Sequence, residues 1–247
     1  KRARALKAYE IEGPYDKCKD WELRGSAQEY YTLIMKVSAK IAAADKTGSL
    51  GSPQFLASSF GKPPAGDDPK AWGVNATAAS GGDPDACMAK LKNAVQFFSE
   101  TAAAVFPDYA SKPEFIEKFT KTMMTLSAYR TEIEYWKHKD ARYVALAHAN
   151  LNVDNAYFWR TQDGHLDCGV LDWGGFGAGC LGHKIWWYLN CSEWEQVRDN
   201  LRHFVDAFLE TYQNSGGPAL DGDVVEQMVK LTCLGNLMFM VAAVPDC

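Results

Sequence analysis

The sequence has no Cys-x-x-Cys pair, no surplus of positive charge, no uninterrupted apolar run long enough to span a bilayer and no glycine-rich loop of nucleotide-binding spacing. Each absence excludes something. The seven cysteines (18, 87, 168, 180, 191, 233 and 247) are odd in number and scattered, so neither a disulfide framework nor a zinc site is expected. Free thiols in a reducing compartment, cytoplasm or organelle matrix, fit that pattern better. A net charge of −5 and a pI near 5.6 argue against nucleic acid as a partner, because phosphate binding relies on clustered Lys and Arg. The one basic run, Lys1 to Lys7, reads as a solvated terminus. A membrane helix needs roughly 18–20 apolar residues. The longest candidate, Leu231 to Val244, is interrupted by Gly235 and Asn236 and reads as a buried core helix, so no membrane span is expected. The chain starts without Met and shows no intact signal peptide, which suggests a processed protein or a piece of a longer one.

What is present points to a packed interior. Hydrophobic residues make up 47 % of the chain and aromatics 13 %, eight of them Trp, enough for one large core or two small ones. Residues 1–25 carry the breakers Gly13-Pro14 and Gly25 and read as an extension or linker. Ser26-Ala27-Gln28-Glu29 has the form of a capping box, and Tyr30, Ile34, Val37, Ile41 and Ala44 follow at helical spacing. From about 45 to 84 the chain is rich in Gly, Pro, Ser and Ala and reads as an insertion. Helices are expected over Asp85 to Phe106 and from Ser111 through Ile133. The period then shortens. Tyr143 to Ala147, Ala156 to Arg160 and Gly169 to Leu171 read as strands, with Asp163-Gly164 supplying the tight turn between the last two. Helical spacing returns over Ile185 to Leu189, after a second cap at Ser192-Glu193-Trp194-Glu195, and from Asp221 to Val244. The fold class is therefore α+β and mainly helical.

One segment carries chemistry. His148-Ala149-Asn150-Leu151-Asn152-Val153-Asp154-Asn155 is a polar loop between two short strands, and Gly169-Val170-Leu171-Asp172-Trp173 is a strand ending in a carboxylate. Phosphoryl transfer asks for such a layout, since its loose transition state is served by positioned groups and Mg²⁺. An Asn from the loop and an Asp from the strand end can reach one metal ion together. Gly174-Gly175-Phe176-Gly177-Ala178-Gly179 matches neither the Walker nor the dinucleotide spacing and reads as a flexible segment. Trp186-Trp187-Tyr188 and Met238-Phe239-Met240 read as core packing.

The segment resembles the His-Gly-Asp-(four residues)-Asn loop of the aminoglycoside phosphotransferase, choline kinase and ecdysteroid kinase-like family, followed by that family's Ile-Asp-Trp element. The resemblance covers about residues 26–247 and is concentrated in 143–190. It implies a protein-kinase-like C-lobe with a small β-hairpin carrying a catalytic-loop remnant. Asn155 and Asp172 match the family's metal ligands, and His148 matches the structural loop histidine. Asn150 stands at the catalytic aspartate position, Ala149 where the family has Gly, and His183 where an Asp usually precedes the aromatic helix. A neutral amide cannot accept a proton, and losing a positioned base costs about 10²–10⁴ in rate. Nothing in residues 1–25 looks like the small ATP-covering lobe. The resemblance therefore implies a pseudokinase-like module, an interaction or structural subunit with a protein partner or larger assembly. The insertion and the surplus aromatics are its candidate contact regions. Two alternatives stay open: a small-molecule kinase acting on a choline-, sugar- or aminoglycoside-like substrate, and a nucleotide sensor without turnover. Only in those would Mg²⁺ and ATP be cofactors; the first reading has none.

Overall fold

A computed structural model describes residues 10–60, 68–72 and 82–244. Much of the insertion expected over 45–84 lies outside the described residues. In chain order the helices α1 (Ala27–Lys46), α2 (Pro53–Phe60), α3 (Pro84–Gln96), α4 (Pro113–Ala128) and α5 (Arg130–His138) precede strands β1 (Val144–Ala147), β2 (Ala156–Arg160), β3 (Leu166–Val170) and β4 (Gly177–Cys180). Helices α6 (Leu181–Leu189), α7 (Trp194–Asn214) and α8 (Gly222–Ala243) follow. The class is α+β and mainly helical, as the periodicity predicts.

The described residues fall into two compact units, one drawn from Lys1–Ala65 and Asp140–Val229, the other from Gly66–Lys139 and Lys230–Cys247. In the first unit, α1 packs against α7, β1 and β3. Its buried face is Tyr30, Tyr31, Ile34, Met35, Ser38, Ala39, Ala42 and Ala43, wider than the predicted stripe and rotated so that Val37 and Ile41 are only half-buried. The predicted capping box does not form. Ser26 makes no side-chain cap, and Glu29 instead takes a two-pronged bond from Arg160 at 2.6 and 2.7 Å. A charge-assisted fork outweighs a neutral cap bond.

Two antiparallel pairs supply the strands. β2 and β3 pair from Ala156↔Val170 to Arg160↔Leu166, and their turn closes on Gly164 at φ +80°, as Asp163-Gly164 predicts. β1 pairs with β4, from Val144↔Cys180 to Ala147↔Gly177. This corrects the flexible segment expected over 174–179. All four β1 residues are buried, and buried backbone groups need partners; β4 provides them on one edge. On the other edge the Leu146 N–H donates to Asp45 Oδ2 at 3.0 Å.

Residues 10–25 are built into this unit. Glu12 exchanges both backbone bonds with Phe158, and its buried carboxylate accepts from Tyr15 and Tyr30 hydroxyls at 2.7 Å each. Asp20, also buried, accepts from Tyr31 at 2.8 Å and from the Ser192 hydroxyl and Glu193 N–H at 2.7 and 2.9 Å. The carboxylate thus caps α7 in place of Ser192, satisfying an orphan N–H at a dipole end that favours negative charge.

The second unit is built from rings and small side chains. Leu91, Ala94, Met123 and Val241 form its buried cluster, with Phe119, Met124 and Met238 against it. Two corrections belong here. The helix expected over Asp85 to Phe106 leaves α-geometry at Phe97, where a wider turn (Phe97–Thr101) lets Phe98 meet Phe119, Phe115 and Phe106 at 5.3, 6.0 and 6.0 Å. The helix expected through Ile133 is two, parted at Tyr129 (φ −108°, ψ 20°); no local sequence feature explains the break.

α8 begins on an Asp221 cap and is the one helix among the described residues long and apolar enough, by length and composition, to cross a membrane. It is not the fully buried core helix that its apolar run predicts. Phe239 and Met240 are 70 % and 57 % exposed, while Val241 is buried.

Candidate functional site

Of the residues singled out in the sequence, His148, Asn150 and Asn155 are joined in the first unit to one another and to Leu171, the neighbour of Asp172. β1 delivers His148 into a buried position, 1 % exposed. Its Nε2 donates to the Leu171 carbonyl at 2.9 Å, and its Nδ1 accepts the Asn150 N–H at 3.2 Å. Those two bonds select one tautomer and tie the loop to the end of β3. Asn155 closes the loop from the other side. Its Nδ2 donates to the Asn150 carbonyl at 2.7 Å, and its own carbonyl accepts the Leu171 N–H at 2.8 Å. His148, Asn150, Asn155 and the residue before Asp172 therefore form one hydrogen-bonded ring. Asn150 is half-buried, and its side-chain amide has no hydrogen-bond partner among the described residues.

Asp172 follows at φ 51°, ψ 64°, the only non-glycine residue with positive φ among the described residues. Such a conformation costs of order 1 kcal/mol for an L-residue and is retained where the surroundings demand it. The carboxylate is exposed, without hydrogen bond or ion pair among the described residues. The turn after it, Trp173–Gly175, folds back over the loop. A Cβ at Gly175 would lie 3.2 Å from that of Ala149, so a glycine in the turn makes room for the Ala149 side chain. Trp173 sets its ring edge-on to His148 at 5.5 Å and is itself 48 % exposed. Phe176 and Phe60 continue the aromatic row at 5.7 and 4.8 Å.

Sequence reasoning missed the support. Tyr188, buried in α6, donates to the His148 carbonyl at 2.7 Å and accepts from Ser38 of α1 at 2.6 Å. Burial pushes its hydroxyl well above the usual tyrosine range. Tyr188 therefore braces the loop from beneath, while His183 lies beside Trp187 at 6.1 Å. The wholly buried Asn152 accepts the Val153 N–H at 2.8 Å. Asp154 pairs with Lys17 at 2.8 Å, leaving Asp154 Oδ1 buried without a partner. An aromatic run beside a polar loop hinted at Tyr188; nothing local hinted at Ser38 or Lys17. Farther along α6, Lys184 is buried, and a side chain at Gly179 would meet its stem at 3.3 Å. Burial pulls the Lys184 ammonium down to about 8.

No family model matches this chain, and neither a curated protein nor a solved structure matches it. Chemistry must be judged on the residues themselves. Asn155 has spent an amide N–H on the Asn150 carbonyl, so its Oδ1 is the atom left for a cation, and Asp172 offers an open carboxylate one residue past Leu171, whose N–H the Asn155 carbonyl accepts. No group of three His, Cys, Asp or Glu among the described residues could hold a metal ion. The two oxygens fit Mg²⁺ only as part of a set that substrate phosphates would complete, since Mg²⁺ asks for six oxygens.

Proposed function

We propose that this chain is a pseudokinase-like module, a kinase-like C-lobe serving as an interaction or structural subunit. The observation that carries this reading is the closed ring through His148, Asn150, Asn155 and Leu171, in which Asn150 carries a neutral amide. A loop built for proton abstraction keeps its frame here while the proton acceptor is absent. The ring's bonds run largely through backbone atoms, which a change of Asp to Asn leaves untouched.

The surface supports a binding role. Phe60, Leu171 and Trp173 are 38 %, 37 % and 48 % exposed in the first unit, where a scattered polar surface would be ordinary. The test is thermal. Millimolar Mg–ATP leaves the melting temperature unchanged if the module is a scaffold, and neither the native chain nor Asn150→Asp transfers phosphate. A shift of several degrees without turnover would replace this reading with the sensor. Phosphotransfer that rises in Asn150→Asp would replace it with a kinase. One observation favours the sensor as second reading: Asp172 holds an unfavourable backbone conformation that leaves its carboxylate open.

A further inference from the structure

We propose that Cys18 and Cys191 form a peroxide-responsive dithiol site, closing to a disulfide that clasps residues 17–20 to the turn between α6 and α7. The inference does not depend on the kinase-like reading. The two cysteines are remote in sequence, yet the Asp20 bonds to Ser192 and Glu193 bring their two segments together, and the two thiols lie within electrostatic reach of each other. Both are free, with Cys18 exposed and Cys191 half-buried. The approach is held by the flanking residues rather than by the sulfurs. Asp20 bonds Ser192 and Glu193, immediately after Cys191, at 2.7 and 2.9 Å. Lys17 bonds Asp154 at 2.8 Å on the other flank. The Cys18 N–H is fixed by Asp16 at 3.0 Å. Two anchored strands of chain therefore present one sulfur to the other without needing the bond between them.

The pair differs from Cys168 and Cys180. Cys168 and Cys180 are buried, and burial pushes the Cys168 thiol up to about 12, far from a reactive thiolate. Cys180 sits against the Met228 sulfur at 3.5 Å. Burial raises the Cys191 thiol as well, but the Lys17 ammonium lies within electrostatic reach of both Cys18 and Cys191, and a cation beside an exposed thiol with a second thiol in reach is the arrangement of redox-sensing cysteines. The chemistry balances with hydrogen peroxide as oxidant. The Cys18 sulfur attacks one peroxide oxygen, the O–O bond breaks, and one water leaves with the sulfenic acid formed. The Cys191 sulfur then attacks the Cys18 sulfur, the S–O bond breaks, and a second water leaves. Two thiol protons and two electrons have passed to the peroxide. A small-molecule thiol reverses the change by exchange.

The experiment treats the native, fully reduced protein with a small excess of peroxide, alkylates the remaining thiols under denaturing conditions, and maps peptides without reduction. Two of the seven thiols are lost, one linked peptide pair contains Cys18 and Cys191, and dithiothreitol restores both. The oxidised form melts about 5 °C or more higher, because the bond closes a very long loop. Cys18→Ser retains Cys191 as a free, alkylatable thiol after the same treatment. A Cys18 that stops at sulfinic acid beside an alkylated Cys191 would overturn the proposal. So would linkage of either residue to any other cysteine.

Discussion

The two units hold themselves together by different means. The first is tied by directional bonds between residues far apart in sequence: Tyr30 to Glu12, Tyr31 to Asp20, Tyr188 to the His148 carbonyl, Asp45 to Leu146. The second relies on ring contacts among Phe97, Phe98, Phe106, Phe115 and Phe119, residues close in the chain. Packed rings tolerate a change of shape, whereas a buried hydroxyl or carboxylate with one assigned partner does not. The difference places the polar loop in the unit whose geometry is the more tightly specified. A site needs its supports locked, and Tyr188, Ser38 and Asp20 are locking groups.

The largest effect should come from Lys184, a buried charge in the first unit without such a bond among the described residues. Lys184→Met is expected to stabilise the fold by about 3 kcal/mol at neutral pH, by urea denaturation, since it removes the cost of holding a desolvated ammonium. The native protein should show the same term as a pH dependence. A folded value near 8 against an ordinary 10.5 means that the unfolded chain binds the extra proton between those limits. Stability therefore rises with pH from about 8 towards 10 and the penalty is complete below that window. The buried tyrosines keep their contribution intact until the pH passes their ordinary value of 10.0, but the Cys168 thiol, raised by burial from 9.0 to about 12, opposes the rise from about pH 9 upward. A Lys184→Met variant that keeps the native slope from about pH 8 to 9, below the range where Cys168 acts, would mean that Lys184 is solvated.

Next in size is Tyr188→Phe. Deleting one oxygen should cost about 2–3 kcal/mol, because the His148 carbonyl and the Ser38 hydroxyl both lose a buried partner. Hydrogen exchange in residues 148–155 should accelerate with it. Phe119→Leu in the second unit removes more atoms yet should cost only about 1 kcal/mol, as hydrophobic swaps in adaptable cores do. Should the order reverse, the contrast between the units fails. Ser26→Ala should be the smallest, within about 0.5 kcal/mol, since Ser26 makes no cap; Glu29→Ala, which breaks the exposed Arg160 fork, should exceed it slightly.

Particular residues mark how far the sequence could be followed. Tyr30 and Ile34 declared α1 through their spacing, and Asp163-Gly164 declared its turn through the backbone conformation that glycine permits. The polar loop was legible because its residues are adjacent in the chain and Asp172 ends the next strand but one. Ser26 and Ser192 misled for a common reason: each had a competing charged group, Arg160 or Asp20, that local pattern cannot reveal. β4 was hidden by its glycines, which carry no periodicity, and only β1's unpaired edge gives it a reason to be a strand. The Cys18–Cys191 contact was beyond sequence altogether, since spacing says nothing of which scattered thiols meet.

By itself, then, the sequence decided where the helices and the hairpin lie and which side chains the loop offers, because hydrophobic period and turn chemistry act over a few residues. The tertiary structure decided which partner each polar group takes. Glu29, Asp20, Tyr188 and Lys17 each had several candidates along the chain, and hydrogen-bond geometry is satisfied only by the one that folding brings within 3 Å.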